Sequence, residues 1–248
     1  MTVSPISIHR VLLSGWAFLC LFGIVFPAPS EDRLTEKTAQ TSFKESGAES
    51  WKYLLYLPDT YEEKDEWPVL VWLHGRSLRG DNLSKLKRYG PPSFLDERPD
   101  FPFVTICPQL PDGSWPAESL GRLLDEILDT YKVDNGRVYL SGVSLGAMGA
   151  WTFANAYPDR FAALVPVCAH GPASAGERLI NLPIWAFHGD ADKIVPIDPH
   201  QELIESVNSN GGNAKLTVIP GGTHASIIIP VYQREDLYEW MLEQERKK

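Results

Sequence analysis

Short continuous apolar runs alternate with amphipathic ones along most of this chain, and that alternation constrains the fold more than any other feature. The runs WKYLLYLP (51–58), PVLVWLHG (68–75), FVTICPQ (103–109), RVYLSG (137–142), AALVPVC (162–168), PIWAFHG (183–189) and KLTVIPGG (215–222) read as strands. Helical patterns lie at 118–132, 145–157, 199–211 and 235–248. Strands that are apolar along their whole length need cover on both faces, and strands separated by helices cross over in parallel. The fold class is therefore α/β, with a mostly parallel central sheet and helices on both of its faces. In such sheets functional residues sit in the loops beyond the carboxyl ends of the strands.

The chain has 248 residues, 44% of them hydrophobic and 22% charged, which suits one globular catalytic-size domain. A formal charge of −9 argues against a nucleic-acid binder, which would carry a basic stripe, and suits small neutral substrates better. At the N-terminus His9 and Arg10 precede the apolar run 11–26, followed by PAPSED with small residues at Ala28 and Ser30. That is the layout of a secretory signal peptide over residues 1–30, and the run is shorter than the roughly 20 residues a spanning helix needs. The expected location is secreted or periplasmic, free of the membrane once the signal is cleaved. A retained N-terminal anchor is the alternative, ahead of a buried helix. Cys20 follows Leu19, where a lipoprotein signal would place a small residue. Residues 31–49 are polar and lack an apolar period, so they read as a flexible lead-in to a domain over 50–248. Cys107 and Cys168 each end a strand-like run and read as two buried thiols in preference to one disulfide.

Within GVSLGAMGAW (142–151), Ser144 lies between Gly142 and Gly146, after a strand and before a helix. A Gly-x-Ser-x-Gly match alone is weak, but this strand–turn–helix setting is the one a nucleophile elbow requires. The turn strains the serine backbone, and the flanking glycines leave room for strand and helix to approach. The helix N-terminus, with its free N–H groups, would then face an oxyanion, and the Leu145 N–H is the natural first donor. The plainer reading is a small serine at a tight turn.

A nucleophilic serine needs a base and an acid, which in this architecture follow it in the order Ser, Asp or Glu, His. His9 lies in the leader and His74 precedes the serine. His188 ends a strand and His200 sits in a helix, so structure explains both. His224, in the glycine-rich loop IPGGTHAS after the last strand, is the candidate base. After PIWAFHG the acids are Asp190, Asp192 and Asp198. Asp190 follows the turn glycine and shapes the loop, Asp198 stands where a carboxylate caps a helix, and Asp192 is placed to reach a histidine and hold its tautomer.

The run VLVWLHGRSLRGDN (69–82) ends a strand at His74-Gly75, and the loop after this strand supplies a second oxyanion donor in such hydrolases. The Arg76 N–H is the candidate, ahead of Ser77, with His74 ordering the loop. The Arg76 side chain either pairs with a nearby acid, the favoured reading, or meets a substrate carboxylate or sugar. Gln109 and Trp115 could line the pocket, Trp115 equally well being packed on the surface, and His170 falls near the rim with a plain loop role favoured. Only residues 169–182 separate two strand runs, too few for a large lid. No pair of His, Cys or carboxylate residues shows metal-ligand spacing, so no metal and no cofactor is expected.

The motifs LLYLPDTY, LHGRSLRG, YGPPSFLDERPDFPFVTICPQ, VYLSGVSLGAMGAW, YPDRFAALVPVC, PIWAFHGDADKIVP and GGTHAS together resemble single-domain α/β-hydrolases of the predicted-peptidase group. These are related to dienelactone hydrolase-like, polyhydroxybutyrate depolymerase-like and feruloyl or acetyl-xylan esterases. The resemblance covers about residues 50–245. It implies a serine carboxylesterase with Ser144, Asp192 and His224 as its triad, acting on short-acyl or polymer-linked esters. Two departures stand out, Ala147 in place of a second glycine and Arg76 in place of a smaller residue. Dienelactone hydrolases proper use a cysteine nucleophile, so Ser144 argues against that substrate. A small serine peptidase or thioesterase, or a silent hydrolase-fold binding protein, is the competing reading, and the oligomeric state is not legible.

Overall fold

The computed structural model of the protein describes residues 33–40 and 50–246. Among these residues eight strands form one sheet: β1 (Leu34–Gln40), β2 (Ser50–Tyr56), β3 (Trp67–Leu73), β4 (Val104–Pro108), β5 (Val133–Val143), β6 (Ala163–Val167), β7 (Ile184–Gly189) and β8 (Ala214–Ile219). Their order is β1-β2-β4-β3-β5-β6-β7-β8. From β4 to β8 all pairings are parallel, while β2 is antiparallel to both β1 and β4.

Among the described residues six α-helices accompany the sheet: α1 (Ala117–Thr130), α2 (Leu145–Ala156), α3 (Ala175–Arg178), α4 (Asp198–Ser209), α5 (Ile228–Tyr232) and α6 (Glu235–Leu242). Alternation along the strands sends side chains into two cores. Val69, Val71 and Leu73 of β3 join Leu120, Leu124 and Ile127 of α1 on one face. Leu70 and Trp72 join Tyr232 of α5 and Leu237, Tyr238 and Met241 of α6 on the other. The α1 positions recur at three- and four-residue spacing, the stripe a helix lays on a sheet. Between β6 and β7 only the four-residue α3 intervenes, so no large lid is built there.

One expectation is corrected. Residues 34–40, within the segment read as a flexible lead-in, form the edge strand β1, with Leu34 opposite Tyr56 and Gln40 opposite Ser50. An edge strand takes backbone hydrogen bonds from one neighbour only, and apart from buried Leu34 its described side chains at 35–37 are exposed. A polar sequence satisfies those demands and blunts the open edge, so no apolar period marks it. The expected signal peptide lies outside the described residues. Among the described residues no helix is long and apolar enough to cross a membrane.

The order of strands reverses at β3 and β5, the switch point where a crevice opens beyond the strand ends. There α2 starts immediately after β5 and presses on β3. A Cβ on Gly146 would stand 1.9 Å from the Leu73 carbonyl oxygen, and one on Gly142 would stand 2.3 Å from the Gly146 oxygen. Both obstacles are backbone, which cannot rotate away. Gly146→Ala is therefore expected to destabilise the fold by about 2–3 kcal/mol, as overpacking in a closed site does. A urea-denaturation midpoint unchanged from the parent would contradict this contact.

Candidate active site

Ser144 follows the last residue of β5 and precedes the first of α2, with backbone φ 55° and ψ −120°. Residues other than glycine rarely hold a positive φ, and doing so costs about 1–3 kcal/mol unless the surroundings impose it. Here they do: the Ser144 N–H donates to the Val167 carbonyl at 2.9 Å, and its own carbonyl accepts from Met148 at 3.0 Å. The turn lifts the half-buried side chain above the strand ends.

His224 and Asp192 arrive from the loops after β8 and β7. These two loops touch through glycines, since a Cβ on Gly189 would meet the Gly222 oxygen at 2.1 Å. The Ala191 N–H donates to that same oxygen at 3.0 Å. The result is a continuous relay. His224 Nε2 lies 2.8 Å from Ser144 Oγ, and His224 Nδ1 lies 2.7 Å from Asp192 Oδ2. A carboxylate only accepts, so the ring proton sits on Nδ1 and Nε2 is left to accept from the serine hydroxyl.

Asp192 is buried, with its other oxygen, Oδ1, accepting from the N–H groups of Ile194 and Val195 at 2.9 Å each. Burial pulls its pKa upward, but the Val195 N–H, the His224 ring and the Ile194 N–H outweigh burial and hold the carboxyl below its usual range. Behind it stands a second histidine pair. His188 Nε2 lies 3.0 Å from the Val195 carbonyl and 3.4 Å from Asp192 Oδ2, while its Nδ1 lies 2.9 Å from His200 Nδ1. Two acceptors at Nε2 put the His188 proton there, so His200 Nδ1 is the donor between the rings. Burial lowers both histidines, His200 to about 3, which keeps the pair neutral.

Leu145 and Arg76 begin helical turns, α2 and the short turn Arg76–Leu78, so helix geometry offers their N–H groups no acceptor within the turn. Gly75 brings the two turns together, because a Cβ there would lie 3.5 Å from Ser144 Cβ. His74 fixes this loop from below. Its Nδ1 donates to the Gly75 carbonyl at 2.7 Å and its Nε2 accepts the Leu110 N–H at 2.9 Å; burial lowers its pKa to about 4.

An open cleft of about 790 Å³ surrounds Ser144 and His224. Arg76, Arg88 and Tyr89 line it from the β3 side, and Met148, Ile194 and Ile229 supply apolar wall. Sequence reasoning missed all of these except Arg76. Ile194 and Ile229 are exposed large apolar residues, and Ile194, two residues past Asp192 in the run DKIVP, is the one the sequence could have marked.

Three expected pocket residues are elsewhere. Gln109 is buried, its side-chain amide donating to the Leu78 and Asn82 carbonyls at 2.8 and 2.9 Å, so it braces the Arg76 loop from behind. Trp115 is neither substrate wall nor surface packing. It is buried, stacks on Trp51 and donates from Nε1 to the His74 carbonyl at 3.2 Å. His170 lines a separate small depression with Pro199 and Glu202. Arg76 pairs with no acid among the described residues, contrary to the favoured reading of its side chain. Asp190 shapes its loop as expected, accepting from the Gly221 N–H at 2.7 Å, whereas Asp198 opens α4 without a side-chain capping bond.

Cys107 and Cys168 are buried and free. The sulfur of Cys168 and ligand atoms of Asp192 and His224 lie within 4.8 Å of one another, a grouping that no local sequence spacing reveals. Asp192 and His224 are already engaged with each other. Burial pushes the Cys168 thiol up to about 12, so a thiolate ligand there is costly at neutral pH.

Comparison with known proteins bears on the fold and the family. Residues 117–228 match the model of the Dienelactone hydrolase family. NocK of Nocardia uniformis subsp. tsuyamanensis, named as an inferred esterase, is 31% identical over 90 residues, 36% of this chain and 26% of its own length. The bifunctional acetylxylan esterase/xylanase XynS20E of Neocallimastix patriciarum is 26% identical over 83 residues, 34% of this chain and 12% of its own. The crystal structure of a thermostable esterase superposes with a TM-score of 0.77 at 26% identity, covering 87% of this chain and 64% of that one. The chain thus spans less than two thirds of each of these relatives.

The buried histidines make stability depend on pH with a definite sign. His74 and His200 have folded pKa values below their ordinary 6.5, so the unfolded chain binds their protons first. Their contribution is complete above pH 6.5 and is lost as pH falls toward about 4 and about 3. Between pH 6.5 and 5 each is expected to cost about 2 kcal/mol of unfolding free energy, above the window in which Asp192 titrates. Urea denaturation across that range should show the drop, and His200→Asn should reduce it. A flat profile would contradict neutral buried rings.

Proposed function

We propose, for a chain that has the α/β-hydrolase fold and matches the Dienelactone hydrolase family over residues 117–228, that it is a serine carboxylesterase acting on short-acyl or polymer-linked esters. The observation that carries this reading is the relay of 2.7 and 2.8 Å from Asp192 through His224 to a serine held at φ 55°. The esterases among its relatives, including the acetylxylan esterase, support the substrate class.

In this mechanism His224 Nε2 takes the proton of Ser144 as Oγ bonds to the ester carbonyl carbon, and the carbonyl oxygen becomes an oxyanion between the N–H groups of Leu145 and Arg76. Asp192 stabilises the resulting imidazolium without taking its proton. Collapse breaks the bond to the alcohol oxygen, which receives the proton from His224, and an acyl-Ser144 remains. Water then gives a proton to His224 as its oxygen attacks the acyl carbon. The second tetrahedral species releases the carboxylic acid, and the proton returns to Ser144. The open cleft leaves the ester of a polymer room to enter. The leader at residues 1–30 fits export to meet such a substrate outside the cell.

The protein from Glu31 onward is expected to release p-nitrophenol from the acetate and butyrate esters faster than from the octanoate. Ser144→Ala should lower kcat by about 10⁴-fold or more, and Asp192→Asn by about 10³–10⁴-fold through loss of the productive tautomer. Equal turnover by the parent and the folded Ser144→Ala variant would refute the serine mechanism.

A further inference from the structure

The chain carries an acidic surplus of nine charges, and its arginines use it. Arg33 holds Asp59, Arg79 holds Asp112, Arg98 holds Glu235 and Arg160 holds Asp125. Every other described arginine likewise engages a carboxylate or a backbone carbonyl, with two exceptions. Arg76 and Arg88 hold neither among the described residues, and both line the cleft around Ser144. Among the described residues no Asp or Glu lines that cleft. In a protein with acids to spare, the two arginines without an acid both line the cleft where a substrate must lie.

The placement is as specific as the pairing. Arg76 carries the N–H proposed to hold the oxyanion, so its side chain begins one residue from the reacting carbonyl. Arg88 reaches the same cleft from the end of the turn Leu83–Arg88, held beside Tyr89. The Tyr89 hydroxyl bonds to Ser77 Oγ at 3.1 Å, which ties the two ends of the loop together. In the strand order this loop lies on the β3 side of Ser144, and exposed Ile194 lies on the β7 side. The cleft is therefore cationic on one side and apolar on the other.

We infer that this cleft selects esters bearing an anionic group, a carboxylate or phosphate, which Arg76 and Arg88 receive while the uncharged part lies against Ile194 and Ile229. The inference rests on the esterase reading and narrows its substrate class. Two planar guanidinium groups match a carboxylate or phosphate in a way a point charge does not. Their positive charge in the cleft stands against the negative charge of the rest of the molecule and draws anions to it.

The test is a ratio. Mono-4-nitrophenyl adipate, with its charge on the acyl side, is compared with its methyl ester. Separately, 3-acetoxybenzoate, with its charge on the alcohol side, is compared with methyl 3-acetoxybenzoate. At low ionic strength the parent should show a kcat/KM about tenfold higher for the anion in at least one pair, a typical scale for exposed charge-assisted contacts acting together. That ratio should fall toward one at 0.5 M salt, and toward one in the Arg76→Gln/Arg88→Gln variant, while Arg76→Lys/Arg88→Lys retains part of it. The neutral ester normalises each variant, so a general loss of activity or folding does not imitate the effect. A ratio near one in both pairs for the parent overturns the inference, as does a ratio the glutamines leave intact. If no ester is cleaved, the esterase reading fails on its own. The subsite is then read by titrating Ser144→Ala with monomethyl adipate against dimethyl adipate. Tighter binding of the anion, lost with the glutamines, upholds the subsite, and equal binding overturns it.

Discussion

The site depends on one backbone contact, the approach of the first turn of α2 to the end of β3. Gly146 lies against the Leu73 carbonyl and Gly142 against Gly146, distances at which a methyl group cannot be inserted. This closeness forces the chain to reverse within a residue or so, which puts Ser144 at a positive φ. It also sets the N-terminus of α2 beside the loop that begins at Gly75. The backbone geometry of Ser144 and the two free N–H groups thus come from a single packing event, and the strain at Ser144 is held by the bond from its N–H to the Val167 carbonyl.

The second requirement is a buried carboxylate that stays ionised. Asp192 meets it with two N–H groups on one oxygen and the His224 ring on the other. His188 completes the cage by bonding the Val195 carbonyl, which belongs to the same turn as one of those N–H donors. An unsatisfied charge at this depth would be far more costly than any of these bonds contributes. The relay to Ser144 is therefore supported by groups outside the cleft, and burial keeps the His188 ring among them neutral to lower pH than a free imidazole.

Most of the architecture was legible because apolar periodicity reports burial directly, and the parallel strands and larger helices fall where the periodic runs lie. The strand β1 was not, since an edge position lets a polar sequence pair its backbone. Ser144, Asp192 and His224 were legible as candidates because each follows a strand in a turn marked by glycine, while chain order set His74 aside and strand and helix settings explained His188 and His200. Gln109 and Trp115 were misplaced for a shared reason. A residue after a strand can turn inward as readily as outward, and both found buried partners that no local pattern specifies, the Leu78 and His74 carbonyls. The cleft wall was illegible because Arg88, Met148, Ile194 and Ile229 come from separate segments that only the tertiary fold assembles.

The central claim is that Ser144 is a nucleophile activated by His224, and covalent trapping tests it most directly. The parent protein, incubated with a fluorophosphonate at neutral pH, should gain one phosphonyl group by intact mass, with fluoride leaving and the adduct mapping to Ser144. His224→Ala should label far more slowly under the same conditions. Absence of an adduct on the folded protein, or an adduct on another residue while Ser144 stays free, would contradict the account.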